Sequence, residues 1–235
     1  MPEHLLFLFL ALALPISLAV SSHRRRTTRP VWWSERNKIR LYYANGLFLY
    51  ALAALVLLTA WWTGRPLPEL GLGYGRLPYD LTAVLLLAAF VLLYLLDLYR
   101  ETGTAAARTA ARRAFDRLGF LPTTGRQFLH FVFLAVAAGV GEEIVYRGFL
   151  ITYLGEQLGT TGWAVAGVLL LPAVSFGLGH LYQGWRAVGK IVLMAVLFGF
   201  FFLRTGTLWP LMLVHAAVDV LGGLLSWHLQ RERHD

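Results

Sequence analysis

Within an otherwise apolar stretch, GEEIVYRGFL at 141–150, stand two adjacent carboxylates, Glu142 and Glu143, and one guanidinium, Arg147. Glu143 and Arg147 are four residues apart with the acid on the N-terminal side, the favourable order for a helical ion pair, so Arg147 is expected to neutralise Glu143. Glu142 lies about 100° further around a helix and cannot share that arginine in the same geometry. Its partners must come from elsewhere. The candidates are His180, four residues after Phe176, and His215, four residues before Asp219. The second spacing puts imidazole and carboxylate on one helix face, where the acid can orient the ring, fix its tautomer or favour its protonated form.

An ionisable side chain inside a bilayer is costly and normally faces a polar interior. Taken singly, each of these residues is explained as interhelical hydrogen-bond glue. Together, drawn from three segments, they point to a shared wet cavity, with two chemistries open. One is a catalytic constellation, the other a metal site, although no HExxH is present. Cysteine is absent, which excludes disulfides, thiolate ligands and a cysteine nucleophile.

EEIVYR, FGLGH and HAAVD, in that order, resemble the EExxxR, FxxxH and HxxxN/D motifs of the CPBP family of CAAX prenyl endopeptidases and bacteriocin-processing (Abi-like) membrane proteases. The resemblance covers roughly residues 125–230. It implies that Glu142 is the catalytic glutamate, that His180 helps it activate water, and that His215 and Asp219 serve the oxyanion. Glu143, Arg147 and Phe176 then fill supporting positions. Asp219 stands where many members carry asparagine; an ionised aspartate repels an oxyanion that asparagine can serve, so Asp219 is expected to orient His215 or to be protonated. The resemblance favours a metal-free glutamate mechanism, with Glu142 as general base for hydrolysis and no cofactor; the alternative it leaves is zinc held by Glu142, His180 and His215 with an open water position.

The elements that must position these residues are membrane helices. Of the 235 residues, 57% are hydrophobic and 14% charged, with mean hydropathy +0.59, too apolar for a soluble domain of this size. About seven windows reach spanning length: roughly 4–21, 42–63, 81–98, 128–154, 163–181, 188–204 and 207–229. The fold class is therefore all-α, a polytopic transmembrane bundle of about seven helices. Residues 102–119 add a short interfacial helix with Ala107, Ala111, Ala114, Phe115 and Leu118 on one stripe. Residues 1–124 read as N-terminal spans with basic loops, and 125–230 as the core that carries the motifs. A straight fourth helix starting near Arg126 places Glu142 about 24 Å from that end, whereas His180 falls near the end of its own helix. Gly139, Gly141 and Gly148 are expected to bend the chain and narrow the gap.

The net charge of +8 is a topology signal rather than a nucleic-acid surface. Basic clusters at 24–40 and 100–126, with Arg186, Lys190, Arg231 and Arg233, fall on one side of seven alternating passes, leaving Arg65, Arg76 and Arg204 on the other. This predicts an outer N-terminus and a cytoplasmic C-terminus in the plasma membrane. The first apolar run carries Glu3 and His4 instead of a basic leader and reads as a retained anchor. The expected partners are membrane lipid and a peptide or protein substrate, with or without a lipid modification. Two other classes fit the same residues: a non-enzymatic scaffold or immunity protein, and an ion or proton transporter.

Overall fold

The computed structural model describes residues 1–26, 33–76 and 79–231. Arg29 and Arg233 of the basic clusters, and the side chains of Arg24, Arg25 and Arg26, lie outside the described residues. The helices are α1 (Pro2–Leu8), α2 (Leu14–Arg26), α3 (Glu35–Thr63), α4 (Leu81–Thr102), α5 (Ala105–Leu118), α6 (Gly125–Glu142), α7 (Thr152–Leu158), α8 (Ala164–Gly179), α9 (Trp185–Thr205) and α10 (Trp209–Arg231). Short hydroxyl and carboxylate side chains start several of them by accepting an otherwise orphaned backbone N–H. Asp80 accepts from the Ala83 amide at 2.8 Å, Thr104 from Ala107 at 3.1 Å, and Thr124 from Gln127 at 3.2 Å. Gly64, Gly119 and Gly206 end α3, α5 and α9 in the left-handed conformation that releases the chain from the helix.

Among the described residues six helices are long and apolar enough to cross a membrane: Pro2–Ser22, Glu35–Thr63, Leu81–Thr102, Gly125–Leu158, Trp185–Thr205 and Trp209–Arg231. The chain is an integral membrane protein built as an all-α bundle. The fifth expected window is shorter than its apolar run suggests, because α8 has 16 residues and stops at Gly179, with His180 as its cap. A single 3-10 turn, Leu181–Gln183, then leads into α9.

Polar contacts sort to two ends of the bundle. At one end Arg65 meets Glu3 at 2.9 Å and also Glu69 and Glu156, Arg204 pairs with Asp80, and the Leu208 amide donates to the Gly71 carbonyl at 2.9 Å. At the other end Arg126 pairs with Glu35 at 3.2 Å, Lys190 with Asp97 at 2.6 Å and Glu101 at 2.8 Å, and Gln230 donates to Asp116 at 2.7 Å. Each successive rod therefore runs opposite to the one before it. Seven alternating rods result, with α8 as the short one.

The fourth rod lies at the centre. Its α6 section packs against α3 and α10, and its continuation touches α7, α8 and α9. That continuation is not a plain α-helix: from Glu143 to Ile151 the backbone widens into π geometry, and every residue in the widened stretch is buried. Gly139 and Gly141 are not hinges of a bend here; they permit close approach. A methyl group on Gly139 would come within 2.8 Å of Ala216 and of the Met212 carbonyl on α10, and one on Gly141 within 2.9 Å of the Leu49 carbonyl on α3. Small residues draw helix backbones together in this way inside membranes.

Candidate active site

The widening begins at the paired carboxylates and so decides where each one points. π-turns inside α-helices recur at functional sites because they re-aim side chains. Glu143 is fully buried, and one oxygen, Oε1, accepts two hydrogen bonds: from Arg147 Nη1 at 2.7 Å and from His215 Nδ1 at 2.7 Å. Glu142 points to the other nitrogen of the same ring, its Oε2 standing 3.6 Å from His215 Nε2. The two adjacent carboxylates thus bracket one imidazole, one at each nitrogen. Asp219 Oδ2 lies 3.9 Å from Nε2, on the Glu142 side.

The Glu143–Arg147 pair forms as its spacing predicts. The expectation that Asp219 orients His215 does not hold in this geometry, because Glu143 occupies Nδ1 at hydrogen-bond distance while Asp219 stands beyond that range from Nε2. The spacing of four between His215 and Asp219 puts them on one face but does not set their distance.

Arg147 is held from both sides. Its guanidinium carbon sits 5.1 Å from the Phe176 ring centroid and 5.2 Å from that of Phe198, within range for cation–π attraction. Phe176 also borders the two histidines, at 4.5 Å from the His180 ring and 6.1 Å from that of His215. Phe198 lies 6.3 Å from His215 and 4.5 Å from Phe90 on α4. It was missed by the reading of the sequence; α9 is rich in phenylalanine, and nothing in its spacing singles out the ring that faces Arg147.

His180 caps α8, and its Nδ1 bonds the Phe176 carbonyl at 2.8 Å. A carbonyl only accepts, so Nδ1 carries the proton and Nε2 presents a lone pair. The same logic applies to His215, whose Nδ1–H donates to the arginine-paired Glu143. His180 stands at the end of the fifth rod, α8 ending two residues before the expected window does. Tyr182, in the following turn, meets Phe120 of the α5–α6 connection edge-on at 5.9 Å and lies 6.0 Å from the His180 ring.

The family model described as type II CAAX prenyl endopeptidase Rce1-like matches residues 124–221. That match covers 98 of the 235 residues, and over this segment the chain is similar to the CAAX prenyl endopeptidase family. The match begins at the α6 cap and ends just beyond Asp219, so the CAAX-protease segment holds Glu142, Glu143, Arg147, Phe176, His180, His215, Asp219 and Phe198. No curated protein and no solved structure matches the chain. The family is one of membrane proteases, and this segment is CAAX-protease-like.

Among the described residues no three His, Asp or Glu side chains are arranged to hold a metal ion. In the zinc set Glu142, His180 and His215, both histidines spend Nδ1 on an oxygen acceptor, an arrangement that metal-ligating histidines also use, and Glu142 contacts His215 at Nε2.

Proposed function

We propose that this protein is an intramembrane endopeptidase that hydrolyses a peptide bond in a membrane-associated peptide or protein, with Glu142 activating water. The observation that supports this most directly is His215 bracketed by Glu142 at Nε2 and by the Glu143–Arg147 pair at Nδ1. Glu142 takes a proton from water as the oxygen attacks the scissile carbonyl, and the proton then passes to the departing amine as the C–N bond breaks. His180, with its Nε2 lone pair, holds the water beside Glu142.

His215 serves the oxyanion that forms on the carbonyl. Because Nδ1–H is spent on Glu143, Nε2 can donate only when the ring carries both protons, and the three surrounding carboxylates stabilise that imidazolium. Glu143 and Arg147 are positioning residues, and Phe176 and Phe198 hold the arginine. Asp219 adds negative charge beside the imidazolium and does not itself donate to the oxyanion when ionised.

The end of the bundle with more basic residues faces the cytoplasm in this reading, so the N-terminus is outside, the C-terminus is cytoplasmic, and the host is the plasma membrane. The family's name directs the substrate test to prenylated peptides. Wild-type protein and Glu142→Gln are compared in detergent on prenylated and unprenylated peptide libraries, each with and without a strong chelator. The expected result is a loss of at least 100-fold in Glu142→Gln, as removal of a general base requires, with wild-type cleavage unchanged by chelator. Cleavage that survives the substitution overturns the assignment; cleavage abolished by chelator replaces it with the zinc form. Ion flux in vesicles without hydrolysis favours a transporter.

A further inference from the structure

The two ends of the bundle differ in how many of their arginines are neutralised, although Arg126 and Lys190 at the more basic end are ion-paired. Beside Glu3 and Asp80, Arg65 and Arg204 are neutralised by carboxylates of the same chain. At the opposite end Arg36, Arg40, Arg100, Arg113, Arg117 and Arg186 are all exposed and form no ion pair among the described residues. Two of them lie on α5, AAARTAARRAFDRL, where Arg108, Arg112, Arg113 and Arg117 stand against a single carboxylate, Asp116. Gln230 already donates to that carboxylate. Arg113 and Arg117 are spaced by four, and like charges at this spacing destabilise a helix unless an anion lies between them.

The other face of α5 is anchored. Ala111 is buried and Ala107, Ala114, Phe115 and Leu118 are partly buried. The helix starts one turn after α4 ends and packs on both α4 and α10, which otherwise meet where Tyr94 Oη donates to the Val218 carbonyl at 3.4 Å. An apolar face seated on the ends of two spans, with a guanidinium face turned outward at the level where those spans stop, is the geometry of a helix lying at a lipid headgroup layer.

We propose that α5 is a docking face for anionic phospholipid, with Arg113 and Arg117 taking the phosphate headgroups. Charge complementarity decides the occupant: the unneutralised arginines lie at the span ends, where a leaflet supplies phosphates side by side. Headgroup binding removes the repulsion between Arg113 and Arg117 and orders the helix that joins α4 to α10.

The test uses the full chain in nanodiscs of neutral phosphatidylcholine, or of phosphatidylcholine with roughly one third phosphatidylglycerol, and reads amide exchange over residues 105–118. Anionic discs should slow exchange on the order of tenfold, and added salt should erode the protection. Arg113→Gln/Arg117→Gln should lose the effect while Arg186→Gln keeps it. Equal exchange of wild type in the two discs overturns the proposal, as does protection that persists in the double variant. Soluble glycerol phosphate added to neutral discs should give no protection; full protection there would make this a phosphate site rather than a lipid face. Protection by an acidic peptide but not by anionic lipid would also overturn it. The salt series needs no substitution and decides the question even if the double variant fails to fold.

Discussion

At the scale of single residues, Glu143 Oε1 carries two jobs at once, neutralising Arg147 and holding His215. Removing one partner of a buried pair is far more damaging than removing both, by about 3–5 kcal/mol. Arg147→Met should therefore lower the thermal midpoint sharply, and the double variant Glu143→Met/Arg147→Met should recover much of that stability. Hydrolysis should stay lost in the double variant, because His215 Nδ1 no longer has its acceptor. Melting curves and peptide cleavage on the same samples separate the two roles; recovered cleavage would show that Glu143 does not position the ring. The Glu143–Arg147 pair was legible in the sequence because an i,i+4 contact needs only local helix geometry. The Glu143–His215 bond was not, since those residues are 72 apart and meet only through the rotation of α6 against α10. The sequence pattern could place His215 and Asp219 on one face without showing which carboxylate that face would meet first.

At the scale of elements, hydropathy located nearly every rod, because a bilayer demands long apolar runs and punishes anything else. It could not show the π-widening at Glu143, where no proline interrupts the run and the charges of Glu142, Glu143 and Arg147 mark a polar interior without marking a change of helix type. It did locate α8, whose end at Gly179 falls two residues inside the expected window. The glycines were visible but their use was not: they looked like hinges and serve as contact points. Gly139 shows the difference. Its missing side chain lets α10 approach within touching distance of the α6 backbone, and α10 carries His215. Gly139→Leu should force the helices apart, cost about 1–3 kcal/mol of stability and reduce cleavage more than Gly222→Leu, whose position faces open space. Matched thermal scans and initial rates check this. Equal effects at the two glycines would mean that the α6–α10 spacing does not set the site.

At the scale of the whole molecule, the end that carries Arg65 is closed by charge. Glu156 and Glu3 together hold the Arg65 guanidinium well above its usual range, so this hub stays cationic at every accessible pH. Asp80 is the titratable latch at the same end. The Ala83 amide, and then Arg204, lower its carboxyl below the ordinary value. A depressed carboxyl contributes stability above its unfolded pKa, near 4, and loses that contribution as pH falls through the folded value. The thermal midpoint of wild type should therefore exceed that of Asp80→Asn at neutral pH, and the two should converge on acidification below about pH 4. Asparagine still caps the helix, so the difference reports the charge. Parallel curves at all pH values would show that Asp80 acts only as a cap.

The short α8 has a consequence for the membrane that hosts it. Its 16 residues span about 24 Å against a hydrocarbon thickness of about 30 Å, and Leu170, Leu171 and Val174 on its outer face are exposed. The bilayer must thin locally beside this rod, or water must follow the 181–183 turn inward to the level of His180. Either response grows more costly as acyl chains lengthen. Cleavage rates should thus be highest in thin bilayers and fall steadily through a series of nanodiscs with longer saturated-equivalent chains. In that case hydrophobic mismatch, rather than any allosteric ligand, would tune the water supply of the enzyme and restrict its activity to thinner regions of the membrane.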